Sequence, residues 1–329
     1  MNIFSSLVSS PKLQTILLNI LFGFLNIVYL YSAMKNALII QGGGFRTAFS
    51  SGVLDVFLDE NHNPFDMIVA VSGGAIAASY YLAEQKEHCF NAICFLSEKG
   101  RFVSLKFPLQ SKPLMHVEIF HDISGIHFPF DKNKAINKLE DKEFYMVMTD
   151  RLTAEPFYCD PRKTNWEEAV IASCSLPFVT KANQMVNGRA YMDGAWGDPL
   201  PVEWAYRMGA KNITVIRTTP AEEKATKTWF DRLGEYYYLR NPKLREAFMR
   251  NHQIFNRSID FMQSPPAEVQ ITQIAPDEKL KGGVYTQEKN RLLEDYLHGK
   301  EKAKQYFQKE LSKLTLRSFK TISNQIFGC

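Results

Sequence analysis

Short apolar runs alternate with longer amphipathic segments through the middle of the chain. Residues 37–41 form one apolar run that ends at a glycine cluster, and residues 65–71 form a second that ends at a serine and two glycines. Apolar runs of this length, bounded by turn residues, are typical of buried parallel strands. The segments that follow, residues 45–60 and 75–85, carry apolar or small residues at helical spacing. The pattern therefore predicts two successive strand–turn–helix units.

Further elements continue the same alternation. Strands are predicted at residues 144–149 and 213–217, with short helices at residues 169–173 and 201–208. Strands that alternate with helices predict the α/β class, here a three-layer sandwich with a mainly parallel central sheet. Residues 100–135, rich in Phe, His and Pro, fit no regular element, and we interpret them as a loop or lid beside a site.

The first 34 residues form a separate hydrophobic segment in the predicted domain division. Residues 15–33 carry no charge and approach the roughly 20 residues that a helix needs to cross a bilayer. Two interpretations stay open: the segment anchors the protein in a membrane, or Met34 begins the natural protein and the preceding stretch is an upstream mistranslation. The sequence around Ser32 is a poor signal-cleavage site, which disfavours a removed leader.

The division continues with one main domain over residues 35–290 and a basic amphipathic helical tail over residues 291–329. Residues 300–320 hold seven basic and two acidic residues, with an apolar stripe that includes Ala303 and Phe307. Such a helix makes peripheral contact with an anionic membrane surface, or it packs on the domain with its lysines in solvent. We favour the second interpretation.

The overall composition excludes few functions. Lys and Arg (39) exceed Asp and Glu (35) by four, which gives no reason to expect a nucleic-acid partner. The five cysteines form neither a CxxC pair nor the dense spacing of a secreted disulfide-rich domain. We therefore expect reduced thiols in a cytoplasmic protein, associated with a membrane through residues 15–33 if that segment is genuine.

The serine at the end of the second predicted strand is the first candidate for chemistry. In residues 70–74, Ala-Val-Ser-Gly-Gly, Ser72 lies between a strand and a helix and is flanked by residues small enough for a sharp turn. This arrangement is the nucleophile elbow, usually written G-x-S-x-G, with Ala70 in place of the first glycine. The structural alternative is that the Ser72 side chain caps the helix.

A triple glycine follows the first predicted strand. Gly42, Gly43 and Gly44 can offer unobstructed backbone N–H groups to the negative charge that develops on a carbonyl oxygen during acyl transfer. Arg46 can hold this loop or meet an anionic head group. A phosphate-binding loop is the alternative, but the segment lacks the Gly-Lys-Ser/Thr of a P-loop and the third glycine of a dinucleotide motif.

A serine nucleophile needs a base, and a carboxylate has a better context than any histidine. Asp193 follows a short apolar segment and precedes Gly194 and Ala195, so its side chain has room to face another group. None of the seven histidines sits in a distinctive motif, although His252 or His298 would suit a triad whose histidine comes last. An ordinary Asp-Gly turn is the structural alternative for Asp193.

Together, these motifs resemble the patatin-like phospholipase family of serine lipid acyl hydrolases, in its bacterial type. That family carries a G-G-G-x-R loop, then G-x-S-x-G, then D-G-G or D-G-A. This chain has residues 42–46, 70–74 and 193–195 in the same order. Residues 172–177 also resemble the family's A-S-x-A-x-P stretch, and the likeness runs over residues 37–217.

Three positions depart from the family pattern: Ala70 in the elbow, Thr47 where glycine is common, and Ser175 where alanine is usual. The resemblance implies hydrolysis of lipid acyl esters, of phospholipase A or lysophospholipase type, by a Ser72–Asp193 dyad through an acyl-enzyme. It also implies an oxyanion hole at the glycine loop, a phospholipid or other acyl-ester substrate, and no cofactor or metal. The departures at Ala70 and Thr47 leave one alternative, a non-catalytic binding protein that keeps the fold. The glycine loop leaves another, a nucleotide-binding domain.

One polar cluster resembles a set of metal ligands. It consists of His116, Glu118, His121, Asp122 and His127. The spacing matches neither H-E-x-x-H nor the zinc-deaminase pattern. We interpret these side chains as ordinary loop residues.

Overall fold

The structure is a computed structural model, and it describes residues 34–104, 113–181 and 184–327. Side chains in the last helix are described as far as residue 312. The uncharged segment at residues 15–33 lies outside the described residues, so both interpretations of it stay predictions. Within the described ranges, no helix is at once long enough and apolar enough to span a bilayer.

Two compact units divide the chain. Residues 36–303 form the first unit, which contains the candidate site, and the described residues of the second unit are 34–35 and 304–327. The described part of the second unit is mainly the C-terminal continuation of one long helix.

Eight strands of the described residues form a single sheet. In chain order they are β1 Lys35–Ile40, β2 Met67–Val71, β3 Glu143–Asp150, β4 Pro156–Cys159, β5 Gln184–Val186, β6 Arg189–Asp193, β7 Ala210–Ile216 and β8 Gln270–Ile274. Their order across the sheet is β5-β6-β3-β2-β1-β7-β8, with β4 paired to β3. The pairs β1–β2, β2–β3 and β7–β8 are parallel, whereas β3–β4, β3–β6 and β5–β6 are antiparallel.

Helices cover both faces of this sheet. They are α1 Thr47–Asp59, α2 Gly73–Leu82, α3 His88–Leu96, α4 Ile119–Asp122, α5 Lys132–Leu139, α6 Trp166–Ser173, α7 Val202–Arg207, α8 Trp229–Tyr237, α9 Pro242–Gln263 and α10 Lys289–Phe327. Alternate residues of a strand point to opposite faces. Ala37 and Ile39 of β1 therefore pack with α7 and the C-terminal half of α9. On the opposite face α2 begins so close to β1 that a Cβ added at Gly74 would lie 2.6 Å from the Ile40 carbonyl oxygen. The predicted three-layer α/β sandwich with a mainly parallel sheet is confirmed.

The four strands predicted from apolar runs are β1, β2, β3 and β7. Every residue of β2 is buried, as expected for a central strand covered on both faces. The remaining strands were not predicted, because they are short or only half-buried. In β8, for example, Ile274 is the only fully buried residue.

The described residues between 100 and 135, which are 100–104 and 113–135, are more regular than predicted. They contain α4, a π-helical turn at Ile123–His127 and the start of α5. Val117, Phe120 and Ile123 are buried at helical spacing. The polar and glycine residues between them make the run too short to recognise in the sequence.

Two glycines let α1 and α10 cross at close range. A Cβ added at Gly52 would lie 2.0 Å from the Tyr296 carbonyl oxygen, and one added at Gly299 would lie 2.0 Å from the Phe49 carbonyl oxygen. The Tyr296 hydroxyl donates to Asp55 Oδ2 at 2.8 Å across the same contact. The first turns of α10 are therefore fixed against α1, the helix that follows the glycine loop.

Candidate active site

The register of the sheet brings two chain segments together at one step of β3. This strand pairs with both β2 and β4 at Val147, and with both β4 and β6 at Met148. Because a strand has only two edges, β2 and β6 follow one another along the same edge. Val71, the last residue of β2, pairs with Val147, and Asp193, the last residue of β6, pairs with Met148. Sheet geometry therefore places Ser72 beside Asp193.

Ser72 forms a sharp turn between β2 and α2. Its backbone has φ 54° and ψ −130°, a conformation that is strained for a residue with a side chain. Glycine at position 73 is required for steric reasons, since an added Cβ would lie 2.2 Å from Thr47 Oγ1. The Ser72 side chain makes no capping hydrogen bond to α2, so the helix-capping alternative does not hold.

A second serine ties this turn to the sheet. The Ser72 N–H donates to Ser173 Oγ at 2.9 Å, and the Ser173 hydroxyl donates to the Val147 carbonyl at 2.7 Å. Ser173 is completely buried at the end of α6. It therefore bridges the serine turn to the β3 residue that pairs with the end of β2.

The Asp193 carboxylate accepts the hydrogen bond of the Ser72 hydroxyl. Ser72 Oγ donates to Asp193 Oδ2 at 2.7 Å, and the Ala195 N–H donates to Oδ1 at 2.9 Å. Asp193 is 1% exposed, and this burial raises the pKa of its carboxyl to about 6, although both hydrogen bonds act in the opposite direction. The carboxylate thus has a raised proton affinity and direct contact with the serine.

The segment after α6 supports Asp193 through its backbone. The Asp193 N–H donates to the Ser175 carbonyl at 2.8 Å, and Thr149 Oγ1 donates to the Asp193 carbonyl at 2.8 Å. The Ser175 hydroxyl points elsewhere and donates to the Ile171 carbonyl at 2.6 Å. Serine in place of the usual alanine at this position therefore does not touch the Ser72–Asp193 pair.

The triple-glycine loop lies directly against the serine turn. A Cβ added at Gly42 would lie 2.8 Å from the Ser72 Cβ and 2.8 Å from the Val71 carbonyl oxygen, so only glycine fits. The Gly42 carbonyl accepts a hydrogen bond from Thr218 Oγ1 at 2.5 Å. This bond fixes the direction of the first peptide of the loop.

Arg46 organises the rest of the loop. Its Nε and its backbone N–H donate to the Gly43 carbonyl at 3.2 and 3.3 Å. Burial lowers the pKa of its guanidinium, and the carboxylates of Glu223 and Asp295 oppose that effect. Within the part of the chain that the structure describes, the N–H groups of Gly43 and Gly44 donate to no protein acceptor. Arg46 therefore takes the first of its two predicted roles, holding a loop whose N–H groups stay available.

A buried network at the end of β7 supports the same loop. Arg217 is completely buried, and its Nε donates to Gln41 Oε1 at 2.8 Å. The Thr218 N–H donates to the same oxygen at 3.1 Å. Burial lowers the pKa of Arg217 to about 10. Through Thr218, this network holds the Gly42 carbonyl in place.

Residues 281–284 support the glycine loop from another direction. The Val284 carbonyl accepts the Phe45 N–H at 3.1 Å. A Cβ added at Gly44, where φ is 59°, would lie 2.3 Å from that carbonyl oxygen. Glycine is required here by both conformation and space.

Asp295, near the start of α10, holds residues 281–284. Its carboxylate accepts the backbone N–H of Lys281 at 2.9 Å and that of Gly282 at 2.7 Å. It is 3% exposed. A chain of contacts therefore connects α10 through this loop to Gly44 and Phe45.

A cavity of about 340 Å³ opens beside Ser72 and Asp193, near the lower end of the range for small-molecule sites, roughly 300–1,000 Å³. One wall is apolar and comes from α2, α3 and the region around α4. It includes Ile76, Ile93, Leu96, Phe102 and Phe120. Another wall comes from Ala225, Thr226, Thr228, Phe230 and Asp231 and from Asn251, His252 and Phe255 of α9. The cavity can enclose an apolar chain next to the serine.

Among the described residues, neither of the two histidines considered as bases forms a hydrogen bond with Ser72. His252 lines the cavity, but its Nδ1 has no hydrogen-bond partner among the described residues. His298 Nε2 is 3.4 Å from Asp277 Oδ2. The Ser72 hydroxyl is directed at Asp193 instead.

The polar side chains of residues 116–127 do not converge. His121 contacts Glu167 at 3.1 Å, and the His127 ring lies against the Phe95 ring with centroids 4.3 Å apart. Among the described residues, no group of three or more His, Cys, Asp or Glu side chains is arranged to hold a metal ion.

In this site a serine on a strand-to-helix turn forms a hydrogen bond with a buried carboxylate, and a glycine loop lies beside the pair. This arrangement is typical of α/β acyl hydrolases. Residues 38–206 match the model of one such family, the patatin-like phospholipases, over just over half of the 329 residues. The chain therefore belongs to the patatin-like phospholipase family, which acts on lipid substrates. Residues 241–314 match a second family model, a domain of unknown function designated DUF6363.

Several known proteins are similar to this chain. The uncharacterised protein YjjU of Escherichia coli K12 is 29% identical over 267 residues, which cover 80% of this chain and 74% of YjjU. Human patatin-like phospholipase domain-containing protein 6 is 21% identical over 210 residues, 62% of this chain but 15% of the relative. Lysophospholipase NTE1 of Mycosarcoma maydis is 23% identical over 230 residues, 63% of this chain and 11% of the relative. The chain thus spans only a small part of the last two.

Among solved structures, VipD from Legionella pneumophila is similar with a TM-score of 0.41 and 12% identity. The match covers 83% of this chain and 66% of VipD.

Three supporting residues of the site were not predicted from the sequence. Ser173 lies in the stretch that resembles A-S-x-A-x-P, and that motif was the one available signal. Thr218 and Asp295 carry no local signal, because their roles depend on which strand lies beside β1 and on where α10 crosses α1.

Proposed function

We propose that this protein hydrolyses lipid acyl esters with Ser72 as the nucleophile and Asp193 as its base, through an acyl-enzyme. The observation that carries the proposal is the 2.7 Å hydrogen bond from Ser72 Oγ to a carboxylate oxygen of Asp193. A nucleophile in direct contact with a base is the geometry that serine catalysis needs.

The acid–base properties of Asp193 support the first step. An aspartate with a pKa of about 6 binds a proton more readily than one near its reference value of about 3.9, yet it is mostly ionised at neutral pH. As Ser72 Oγ bonds to the ester carbonyl carbon, its proton passes to Asp193 Oδ2 and the carbonyl oxygen takes the negative charge.

The glycine loop supports stabilisation of that charge. The N–H groups of Gly43 and Gly44 have no protein acceptor within the described ranges, and both residues line the cavity. Fixed donors at a developing oxyanion are worth more than the same donors in water, because they need no reorganisation during the reaction.

The remaining steps use the same groups. When the tetrahedral intermediate collapses, the ester C–O bond breaks and the leaving alcohol takes the proton from Asp193. A water molecule then gives a proton to Asp193 and attacks the acyl carbonyl. The fatty acid leaves as Ser72 regains its proton.

The cavity supports a lipid as the acyl donor. Its apolar wall, which includes Ile93, Leu96 and Phe120, suits a hydrocarbon chain. We infer an activity of phospholipase A or lysophospholipase type, with a phospholipid or lysophospholipid as the substrate. This inference agrees with the family and with the name of the Mycosarcoma maydis relative.

We keep a reducing, cytoplasmic location as part of the proposal. Cys89, Cys94, Cys159 and Cys174 are free thiols, which suits such a compartment. The division into residues 1–34, 35–290 and 291–329 also stays a proposal.

The decisive experiment labels the full-length protein with a fluorophosphonate probe, which reacts with activated serines. We expect labelling of the native protein and none of Ser72→Ala, with hydrolysis of a soluble ester lost in parallel. Asp193→Asn should lower kcat/KM by about 10²–10⁴-fold, the usual contribution of a general base.

Ser175→Ala is the matched control, because it removes a buried serine hydroxyl that lies next to the site but bonds to the Ile171 carbonyl. It should label like the native protein. Labelling that persists in Ser72→Ala would contradict the proposal. A native protein that neither labels nor hydrolyses esters, but is stabilised by lipid or by nucleotide in a thermal shift assay, would favour one of the two non-catalytic alternatives.

Mass spectrometry of lipids incubated with the native protein and with Ser72→Ala would then identify the substrate. The products that depend on Ser72 define both the lipid and the acyl position.

A further inference from the structure

Helix α8 presents an apolar face to solvent. Large hydrophobic side chains are exposed along it and just beyond its end: Trp229 (74%), Leu233 (41%), Tyr236 (74%), Tyr237 (66%) and Leu239 (55%). We call this set the α8 aromatic face. Positions 229, 233, 236 and 237 follow helical spacing, so they form one continuous stripe.

The opposite side of α8 is firmly packed. A Cβ added at Gly234 would lie 2.1 Å from the Phe248 ring of α9, and Asp231 is 2% exposed. Thr228 and Asp231 form a capping box at the start of the helix. The inner side therefore fixes the rotation of α8, and the aromatic face cannot turn inwards without breaking these contacts.

This orientation is the reverse of the usual one. A surface helix normally turns its apolar stripe to the core and its charges to water. Contiguous exposed apolar patches on soluble proteins mark sites of interaction with another molecule or a membrane. The side chains of this face are tryptophan, tyrosine and leucine. Trp and Tyr, whose rings each carry one polar atom, are enriched at the interface between membrane and water.

Unpaired positive charge surrounds the α8 aromatic face. Residues 227–250 contain six basic and three acidic residues. Of these charges, Lys227 pairs with Glu235, and Arg250 pairs with Glu246 at 2.8 Å. The remaining acid, Asp231, is buried.

The four other bases, Arg232, Arg240, Lys243 and Arg245, are exposed, and none forms an ion pair within the described ranges. Exposed cations next to interfacial aromatic residues complement an anionic lipid surface.

The α8 aromatic face also adjoins the catalytic cavity. Thr228, Phe230 and Asp231 line the cavity, and the Trp229 and Phe230 rings lie in contact with centroids 5.6 Å apart. Trp229 is therefore a direct chain neighbour of Thr228 and Phe230, which form part of the cavity wall. Any surface that contacts Trp229 lies next to that wall.

We propose that the α8 aromatic face docks the protein on an anionic lipid bilayer. Trp229, Tyr236 and the neighbouring apolar side chains enter the head-group region, while Arg232 and Arg240 meet the lipid phosphates. In this orientation the cavity wall that includes Thr228, Phe230 and Asp231 adjoins the membrane, so a lipid can pass into the cavity without crossing water. This last point rests on the proposed function, whereas the docking itself does not.

The test measures co-flotation of full-length protein with vesicles of phosphatidylcholine, with or without phosphatidylglycerol. It uses a Ser72→Ala background so that hydrolysis cannot alter the vesicles. The first variant, Trp229→Ser with Tyr236→Ser, removes two exposed rings that do not line the cavity. Its matched control, Leu152→Ser with Met185→Ser, removes side chains that are 73% and 51% exposed and do not belong to the α8 aromatic face.

We expect binding to anionic vesicles, loss of binding in the Trp229/Tyr236 variant, and full binding in the Leu152/Met185 control. A second variant, Arg232→Gln with Arg240→Gln, should bind anionic vesicles about 30-fold more weakly at low salt. It should match the parent protein on pure phosphatidylcholine, because only the electrostatic contribution has been removed.

Several outcomes would overturn docking by α8. One is the absence of vesicle binding, and another is undiminished binding by the Trp229/Tyr236 variant. A dimer in sedimentation velocity that the same variant abolishes, without vesicle binding, would assign the surface to a second copy of the chain.

A kinetic comparison with Ser72 restored separates docking from catalysis. In the Trp229/Tyr236 variant, hydrolysis of a water-soluble short-chain ester should be unchanged, while hydrolysis of vesicle lipid should fall about tenfold or more. If the native protein hydrolyses neither substrate, the proposed function fails and the flotation result still stands on its own.

Discussion

Asp193 lies in surroundings that determine both its charge and its direction. Loss of water raises the pKa of its carboxyl, and hydrogen bonds from Ser72 and Ala195 compensate only in part. Its backbone is held on both sides, by Ser175 and by Thr149. An aspartate on an exposed turn would have neither property.

The raised pKa of Asp193 predicts the pH dependence of the reaction. Only the ionised carboxylate can accept the Ser72 proton, so activity is lost as pH falls through its pKa. We expect kcat/KM on a soluble ester to increase with pH, to reach half its maximum at about pH 6, and then to level off. The profile is measured in buffers of constant ionic strength. A half-maximum at pH 8 or above would instead point to a different base.

At this scale the sequence predicted the contact between Ser72 and Asp193 better than the residues that support it. Ser72, Asp193 and the glycines carry signals within a few neighbouring positions, since each needs a particular turn or a small neighbour. Ser173 and Thr218 act through single hydrogen bonds to distant backbone atoms. Such partners follow from strand order, which a local pattern does not specify.

Among the elements, the start of α10 and the loop before it have a role that strand and helix prediction does not reveal. Asp295 fixes Lys281 and Gly282, and Val284 in turn contacts the glycine loop. The start of α10 therefore influences the position of Gly43 and Gly44 without touching substrate. α8 shows a similar limit, because its apolar stripe would normally predict a buried face.

We predict that Asp295→Asn lowers kcat about tenfold with little change in KM. The amide presents an NH₂ group to one of the two backbone N–H donors, so residues 281–284 shift and the proposed oxyanion donors of the glycine loop are misplaced. Interactions made only in the transition state affect kcat rather than KM. Steady-state kinetics on a soluble ester measures both constants.

Asp55→Asn provides the comparison for this prediction. Asp55 accepts the Tyr296 hydroxyl at the same α1–α10 contact, but it does not hold residues 281–284. Both variants should be less stable to heat, and only Asp295→Asn should lose kcat and the hydrogen-exchange protection of the Phe45 N–H, which donates to the Val284 carbonyl. An equal loss of kcat in both variants would assign Asp295 a merely structural role.

At the scale of the whole molecule, the two family-model matches do not correspond to two folding units. β1 lies in the sheet between β2 and β7, and β7 follows the end of the patatin match at residue 206. In the apolar cluster that contains Ala37 and Ile39 of β1, six of the fifteen buried residues, from Ala210 to Val269, also lie beyond residue 206.

A fragment of residues 36–206 should therefore not fold by itself. It loses the strand that covers one edge of β1 and much of the apolar cluster, and a sheet left with an exposed central edge tends to aggregate. A fragment of residues 36–303, the compact unit, should unfold in one cooperative transition. Circular dichroism during heating distinguishes the two, and a cooperative transition in the shorter fragment would show that the patatin match is autonomous.

The close crossing of Gly52 and Gly299 has a consequence for how such chains can diverge. Each glycine leaves space for a carbonyl of the other helix, so a larger residue at either position pushes apart two segments that are distant in the sequence. A recombinant chain could join the N-terminal half of one relative to the C-terminal region of another. It would fold only if it kept a small residue at both positions. We therefore expect the small residues at positions 52 and 299 to occur together in related sequences.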